Sequence, residues 1–514
     1  MNKYFNVVFA ILILCMAFLF IAGCTSNYSN LPPETKASTN PVVFSDEEVV
    51  NHDEPVTIQV LTEAYLPSSA AYGQMEYLID QFEKTHLNVT VEWITPPSGL
   101  DNKVDAIDWY ENIREDISQD HGPDVYLLST DPGANMIFPD VAKAMREGVF
   151  LDLNAYYNTD LTLDTDNLNS VVMDAGLVNG IQYTLPLRYD LPVVYVVPEQ
   201  LSSANISGEV FNCGVIDMMD TFSWLEDIRL TKAADFSTAR MPHGNYYILN
   251  FFPELVDYDT GKVLLSSDDL TQLLHSHTML CNTILSSIEE VNSFGGGYID
   301  FMNGTHWAEQ KQGFWISSIG NAIQTAAMCK ALNCNLEMYP LTGADGSIVA
   351  EISFYGAIDA STEHPQIAYD FLRLFLTEAS QWEQNVPENN FNPYMTNLGY
   401  SVRTIDSVEP YFRSLQDRAA RNTGLLFVDD ESLSVEERTD RMCRMNMVEI
   451  TDADVPILQV QIDVARYPLS LLEYELKTAY SNAIADNPKD PDIQSVAERF
   501  VQSLEQHMES VTQK

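Results

Sequence analysis

The chain has 514 residues, of which 74 are Asp or Glu and only 27 are Lys or Arg, so its formal net charge is -47 at pH 7. The acidic residues are spread along the whole sequence, which disfavours nucleic acids and anionic lipid headgroups as partners because association would be repelled. A chain of this length exceeds what one hydrophobic core usually supports, so we expect two lobes or domains.

The first residues follow the pattern of a bacterial export signal. A cation precedes an apolar run from Val7 to Ala22, and the run ends at Gly23-Cys24 before polar residues. Residues 1–23 are therefore predicted to be a signal peptide. The small residues before the cysteine resemble the lipobox of bacterial lipoproteins, in which Cys24 would be diacylated. A transmembrane anchor is the alternative, but the run is short of the roughly 18 apolar residues that a span needs.

The segment that follows, residues 24–54, is rich in Ser, Thr, Asn, Pro and Glu and has almost no apolar pattern. Such a composition cannot bury enough apolar surface to fold, so we predict a disordered tether. A lipid on Cys24 would then hold the folded body at the extracytoplasmic face of the cell membrane, as in Gram-positive bacteria.

Cysteine and histidine usage gives no sign of a metal or redox site. Beyond the leader the cysteines are odd in number and show no paired C-x-x-C spacing: Cys213, Cys281, Cys329, Cys334 and Cys443. One bridge between Cys329 and Cys334 stays open, but a disulfide scaffold is not indicated. No metal-ligand run, nucleophile elbow or phosphate-binding loop is present. We predict no metal, no cofactor and no catalytic residues.

The stretch from Asn179 to Val197 organises the rest of the chain. An Asn-Gly turn opens it, and two β-branched and aromatic runs follow, separated by Pro186 and Pro192. Because proline cannot donate to a sheet ladder, one continuous strand is not expected here. The stretch is then either a surface hairpin or a strand that leaves one lobe and enters a second, with Arg188, Tyr189 and Asp190 at the junction.

Alternating strands and amphipathic helices precede this stretch. Residues 56–61 and 88–94 have the pattern of strands and flank a helical pattern from Met75 to Phe82, which predicts a parallel βαβ unit. A further helix around Trp109 and the buried strand after Gly122 extend the sheet. At the other end of the chain, an apolar face predicts a long packed helix through Ile493, Val496, Phe500, Val501 and Leu504.

Short motifs follow one another in a fixed order over residues 55–405. They are Gly122-Pro123-Asp124-Val125, Gly148 to Leu153, Asn179-Gly180 through Leu187, Gln312-Gly313-Phe314-Trp315, Glu351 to Ile358, and Glu363 to Leu372. Together they resemble the extracellular solute-binding proteins of ABC importers, family 1, the sugar-binding type. Each motif is weak alone and their common order is the signal. The stretches 201–306 and 403–455 match few or no motifs.

The resemblance implies an α/β, two-lobed, periplasmic-binding-protein-like (type II) fold with hinge crossings between the lobes. It implies one lobe from residues 55–187 with 356–400, and a second from 188–355 with 401–514. It also implies a monomeric, non-catalytic protein that captures a small solute between the lobes and delivers it to the permease subunits of an ABC transporter.

Aromatic and acidic side chains at the matched positions are the candidates for ligand binding, because aromatic faces stack on sugar rings while acids bind hydroxyls. The expected ligand-binding residues are Glu63, Tyr65, Tyr189, Asp190, Trp315, Phe354 and Tyr355. Trp315 is expected at the start of a helix, where the family's Gly-x-Trp lies in the cleft, and a core position is its alternative. Glu63 and Tyr65 follow the first strand, at the sheet edge where open α/β sheets bind ligands.

Several alternatives remain open at the level of sequence. The expected ligand is an oligosaccharide, with a peptide or a polyol as the second choice. The same fold could serve a surface sensor or adhesin without a transporter. A glycan-active enzyme is a third class, since paired carboxylates are easy to find among so many acids.

Overall fold

The structure is a computed structural model, and it describes residues 49–62, 72–96, 103–130, 137–196, 198–203, 207–211, 215–224, 248–278, 314–318, 337–377, 380, 400–404, 461–487 and 490–512. The helices are α1 (Tyr72–Thr85), α2 (Lys103–Ser118), α3 (Val141–Glu147), α4 (Asn154–Tyr157), α5 (Ser170–Asp174), α6 (Pro198–Ser203), α7 (Pro365–Leu372), α8 (Ser470–Asp486) and α9 (Ile493–Thr512). Residues 218–224 and 267–278 are also helical.

The strands of the first half of the chain are β1 (Val50–Thr62), β2 (His86–Ile94), β3 (Val125–Ser129), β4 (Leu177–Val178), β5 (Ile181–Gln182), β6 (Thr184–Asp190) and β7 (Pro192–Val196). Those of the second half are β8 (Ile216–Asp217), β9 (Val256–Asp257), β10 (Lys262–Val263), β11 (Phe314–Ser318), β12 (Glu337–Thr342), β13 (Val349–Ile358), β14 (Tyr400–Ser401) and β15 (Val464–Arg466).

Seven strands of the described residues form one mixed sheet, in the order β14-β6-β13-β3-β1-β2 with β15 paired to β13. Strands β2 and β3 both run parallel to β1, and helices α1 and α2 make the crossovers. The predicted βαβ unit and its extension to a third strand are therefore confirmed. All residues of β3 from Val125 to Leu128 are fully buried, as expected for a central strand covered on both faces.

A second sheet of four described strands has the order β11-β7-β12-β8. Its core is a cluster of buried side chains that includes Val194, Val196, Leu270 and Leu341. The same cluster takes in α8 and α9 through Leu476, Tyr480, Ile493, Val496, Phe500 and Leu504, with Val501 packed against it. The predicted apolar face of the last helix is thus confirmed. We call the two parts the large-sheet lobe and the small-sheet lobe.

The chain passes between the two sheets at three described places. Strand β6 pairs with β13 and β14 in the large sheet, whereas β7 pairs with β11 and β12 in the small one, so the first passage is at Leu191. The second is the turn at residues 343–348 between β12 and β13. The third joins β15, paired to β13, to α8 at residues 467–469. Since β6, β13 and β15 are neighbours, the passages lie side by side.

The stretch from Asn179 to Val197 is a crossing and not a surface hairpin, because β6 and β7 belong to different sheets. Asn179 and Gly180 form the expected turn, with φ of 53° and 77°, between β4 and β5. The break falls at Leu191, however, and Pro186 lies inside β6. The sheet accommodates this proline next to a register irregularity at its partner Tyr355, and β14 reaches only Arg188 and Tyr189.

The predicted crossing points near Leu187 and Tyr355 lie inside strands β6 and β13, so the passages fall a few residues away from them. The expected third crossing near residue 399 lies outside the described residues. The division of the chain into lobes at these numbers stays a prediction.

The Gly-Pro-Asp turn before β3 has a structural role. The Asp124 carboxylate accepts from the backbone N–H of Gln59 at 2.8 Å and from the Thr362 hydroxyl at 2.5 Å, which ties the turn to β1 and to the segment before α7. A Cβ on Gly122 would lie 2.4 Å from Asp359 Oδ2. A larger residue at position 122 would therefore displace the Asp359 carboxylate and the Tyr126 hydroxyl that bonds it.

None of the helices in the described part of the chain is both long and apolar enough to cross a membrane. Over the same residues, no group of three or more His, Cys, Asp or Glu side chains is placed to hold a metal ion. The signal segment, Cys24, nearly all of the predicted tether and the five later cysteines lie outside the described residues.

Candidate functional site at the junction of the lobes

Four of the predicted ligand residues come together on two neighbouring strands. Tyr189 and Asp190 end β6, and in the antiparallel pairing they lie opposite Ile352 and Glu351 of β13. Phe354 and Tyr355 follow on the same strand (residues 349–358). The group therefore lies where the chain leaves the large sheet for the small one, which is the position that the sequence predicts for Tyr189 and Asp190.

The Tyr189 side chain is buried in this group, with 5% of its surface exposed. Its ring packs edge-on against Tyr400 of β14, with ring centroids 5.7 Å apart. Burial, and to a smaller extent the neighbouring Tyr400, raises the pKa of the Tyr189 hydroxyl well above its ordinary value. Tyr189 is therefore a neutral residue of the packed junction in this structure.

Phe354 and Tyr355 are buried as well, with 1% and 0% of their surface exposed. The Tyr355 ring packs edge-on against Tyr467, which follows β15, at 5.3 Å between centroids. The Tyr467 hydroxyl in turn shares a hydrogen bond of 2.8 Å with Thr184 of β6. These aromatic residues join three neighbouring strands, and their predicted contact with a ligand stays a prediction that requires the junction to open.

The prediction of a helix at Trp315 is wrong. Phe314–Ser318 is strand β11, paired antiparallel with β7, and Trp315 lies opposite Tyr195. The physical reason is the aromatic and β-branched run Phe-Trp-Ile, which suits a strand and finds a partner in β7. Trp315 is consequently placed on the small sheet, at the edge of its described strands, and its role as a ligand residue stays a prediction.

Two predicted residues, Glu63 and Tyr65, lie outside the described residues. They follow directly after β1, whose last three residues are buried: Val60, Leu61 and Thr62. Because β1 and β3 are parallel neighbours, the carboxyl ends of both strands lie at the same edge of the large sheet. Their expected participation in a ligand site remains a prediction.

A buried charged cluster also lies at the junction, and its residues are not among those predicted from the sequence. Arg466, at the end of β15, contacts Glu351 of β13 at 2.5 Å and Glu473 of α8 at 3.5 Å. The side chains of Arg466 and Glu351 are each only 12% exposed, and that of Glu473 is 5% exposed. One guanidinium therefore joins a carboxylate of the large sheet to a carboxylate on a helix of the small-sheet lobe.

The cluster holds more carboxylates than its one cation can neutralise. Loss of hydration is the largest influence on Glu351; Arg466 opposes it, while the charges of Glu473 and Asp190 add to it, and the pKa of Glu351 rises to about 8. Burial also raises the pKa of Glu473, against the effect of Arg466. The pair consequently retains a proton at neutral pH, as expected when two buried carboxyls share one cation.

Sequence reasoning could not find this cluster because its members are far apart along the chain. Glu351 and Arg466 are 115 positions apart, and they meet only because β15 pairs with β13. Glu351 falls within a matched motif, but Arg466 belongs to a short stretch that no motif covers. The one local signal is a charged residue at Glu351 in an otherwise apolar strand.

The chain was compared with protein families, curated proteins and solved structures. No protein-family model matches the chain, and no curated protein matches its sequence. Among solved structures, an extracellular solute-binding protein of family 1 from Alicyclobacillus acidocaldarius is similar with a TM-score of 0.51 at 12% identity, over 89% of this chain and 99% of that one. A sugar transporter from Rhizobium etli in an open conformation matches with a TM-score of 0.51 at 13% identity, over 87% and 98%.

A de novo designed cysteine esterase is also similar, with a TM-score of 0.55 at 12% identity over 89% of this chain and 99% of that one. At such identities the likeness concerns the fold. The chain thus has the two-lobed α/β fold of the periplasmic-binding-protein type, as the order of its sequence motifs predicts.

Proposed function

We propose that this protein captures a small solute in a cleft between its lobes and delivers it to the permease subunits of an ABC importer. The observation that carries the proposal is the set of three side-by-side passages between two sheets. Such an arrangement lets two packed lobes rotate about a few backbone positions, and hinge closure around a ligand is the motion that this architecture serves. No catalytic residue is part of the proposal.

The proposed ligand is a neutral sugar or oligosaccharide. Two observations support it: the similarity to a Rhizobium etli protein that is a sugar transporter, and the aromatic and acidic residues of the predicted set. The net charge of -47 disfavours an anionic ligand. The proposed contacts are Glu63, Tyr65, Tyr189, Asp190, Trp315, Phe354 and Tyr355.

A thermal-shift screen tests the solute class. A ligand that binds only the folded state raises the melting temperature by mass action. Neutral oligosaccharides should raise it, whereas peptides and polyols at equal concentration should not. A hit found only among peptides would contradict the sugar assignment and keep the solute-binding proposal.

Small-angle scattering tests the motion. With a saturating hit from the screen, the radius of gyration should fall as the lobes close, because few backbone positions need to change. The matched control is a sugar that gives no thermal shift. An unchanged radius with a bound ligand would contradict hinge closure.

Fractionation tests the proposed anchor. We propose that the lipid on Cys24 holds the protein at the extracytoplasmic face of the cell membrane, because two acyl chains give stable retention. Cys24→Ala should move the protein out of the membrane fraction or leave an uncleaved precursor, while Cys15→Ala should do neither. Unchanged fractionation and mass of Cys24→Ala would contradict lipidation.

A further inference from the structure

Another polar contact between the lobes involves the side chains of Asp140 and His507. Asp140 is the N-cap of α3, and its Oδ1 accepts from the backbone N–H of Lys143 at 2.8 Å. The other oxygen, Oδ2, lies 2.6 Å from Nε2 of His507 on α9. The Asp140 side chain is 7% exposed and that of His507 21% exposed, so this contact is largely shielded from water.

Asp140 and His507 belong to different lobes. The residues before Asp140 pack into the large-sheet lobe, since Phe138 contacts the rings of Tyr126 and Phe150 edge-on. Helix α9 belongs to the small-sheet lobe, because Phe500 and Leu504 are part of its core cluster. One carboxylate therefore connects a helix start in one lobe to the outer turns of a helix in the other.

The turn between β9 and β10 joins the same contact. The Tyr258 hydroxyl donates to Asp140 Oδ1 at 2.7 Å, and the Arg146 guanidinium of α3 lies over the Tyr258 ring at 4.6 Å from its centroid. Arg146 also pairs with Asp259 at 3.5 Å. The start of α8 is tied nearby, where the Ser470 N–H and hydroxyl donate to the carbonyls of Pro139 and Thr130 at 3.1 and 2.9 Å.

We propose that the contact between Asp140 and His507 is a proton-controlled clasp between the two lobes, which holds most firmly when the imidazole is charged. A hydrogen bond between an imidazolium and a carboxylate is stronger than one from a neutral imidazole. Histidine is the side chain whose charge changes between about pH 5 and 8. The clasp therefore makes the attachment of α9 to the large-sheet lobe depend on the pH of the surroundings.

Other charged groups lie close to the clasp. Charged and titratable groups on the elements that meet here are Asp140 before α3, Arg146 of α3, Tyr258 and Asp259 of the turn, Arg466 of β15, Lys262 of β10, which packs against α9, and Glu505 and Glu509 on α9 itself. Burial, followed by the Asp140 charge, raises the pKa of the Tyr258 hydroxyl well above its ordinary value. That hydroxyl thus keeps its proton throughout the range in which a histidine titrates.

A double-mutant cycle at two pH values tests the clasp. Asp140→Asn keeps the N-cap and the acceptor for Tyr258 but removes the charge, and His507→Gln keeps a neutral donor. We measure the unfolding equilibrium constants of wild type, both single variants and the double variant at pH 5.5 and pH 8.5. The coupling should be about fivefold at pH 5.5 and less than about twofold at pH 8.5, allowing for partial exposure.

Two control variants sharpen the cycle. Tyr258→Phe removes the other bond to Asp140 without a titrating group, so its effect should be equal at both pH values. His275→Gln replaces an exposed histidine on the helical residues 267–278 and should change nothing. Coupling of equal size at both pH values, or a pH dependence that Tyr258→Phe shares, would overturn the proposal.

Hydrogen exchange provides a readout that does not require global unfolding. Amides in residues 500–512 should exchange about fivefold faster in His507→Gln than in wild type at pH 5.5, and at nearly equal rates at pH 8.5. Comparing the two proteins at the same pH cancels the intrinsic rate. A ratio that does not change with pH would show a purely structural contact and overturn the clasp.

Discussion

The two lobes reach their cores in different ways. The large-sheet lobe is built on strands that pair over long registers, with β1 following β2 along eight residue pairs. The small-sheet lobe has short strands, and its core is completed by α8 and α9. The first lobe therefore depends on strand pairing, whereas the second depends on two helices that come more than 100 residues after its last described strand, β12.

A substitution in the buried face of α9 should have the largest effect on stability. Phe500 is 4% exposed within the core of the small-sheet lobe, so Phe500→Ala should lower the free energy of unfolding by about 3 to 5 kcal/mol through lost burial and a cavity. Urea unfolding measures the change. Leu127→Ala, in the fully buried strand β3, should cost about 2 to 5 kcal/mol in the other lobe.

Gln506→Ala is the control for α9, because Gln506 is exposed on the same helix and should change stability by less than about 0.5 kcal/mol. If Phe500→Ala had an effect as small as this control, α9 would not complete the core of the small-sheet lobe.

Substitution of Trp315 tests whether the small sheet also binds the ligand. If Trp315 stacks on a sugar, Trp315→Ala should weaken binding by about 1 to 3 kcal/mol, the worth of a buried aromatic contact. The melting temperature of the unliganded protein should stay nearly unchanged. Calorimetric titration with a hit from the screen measures the affinity, and Trp109→Ala on α2 is the matched control.

Two outcomes would contradict this role of Trp315. A large fall in unliganded stability would make it a core residue of the small sheet. Full affinity with normal stability would remove it from both the site and the core, and the ligand would then have to be bound by other predicted residues.

The pH dependence of stability tests the buried charged cluster at the junction, through Glu351. Its pKa of about 8 in the folded protein lies above the ordinary value of about 4.3 expected for the unfolded chain. Between these two values the folded state holds a proton that the unfolded state has lost. The contribution of Glu351 to the free energy of unfolding is therefore complete below about pH 4.3 and falls as pH rises towards about 8. The slope is at most about 1.4 kcal/mol per pH unit.

Glu351→Gln carries no titrating proton, so its stability relative to wild type should rise between pH 5 and 8. Urea unfolding at several pH values measures this difference. Gln506→Ala, at an exposed position on α9 that carries no titrating group, should give a difference that does not depend on pH. A flat profile for Glu351→Gln would mean that Glu351 is ionised beside Arg466 at neutral pH.

Local patterns explain which parts of the fold could be predicted. The order β1, α1, β2, α2 and β3 follows from alternating and helical periodicities that each segment carries within itself. The Asn179-Gly180 turn follows likewise from residues that tolerate positive φ. The crossing between lobes at Leu191 was located only to within a few residues, because the sheet accepts Pro186 beside an irregularity in β13 that no local pattern reveals.

The candidate site was less predictable because it depends on distant pairings. Tyr189 and Asp190 lie at the junction as predicted, but Tyr189 packs against Tyr400 and Tyr355 packs against Tyr467, and both partners come from segments far along the chain. The helix expected at Trp315 was wrong since a family motif was applied where β7 provides a strand partner. Arg466 and Glu473 had no local signal at all.

The dependence of the small-sheet lobe on α9 also sets the order of events during synthesis. Its core includes Val194 from an early strand and Leu504 from a late helix, so it cannot close until residue 504 has left the ribosome. Synthesis proceeds at about 5 to 20 residues per second, so the roughly 300 residues between them take about 15 to 60 seconds to make. During that interval the part of the lobe already made exposes apolar side chains of its core, to which a chaperone can bind.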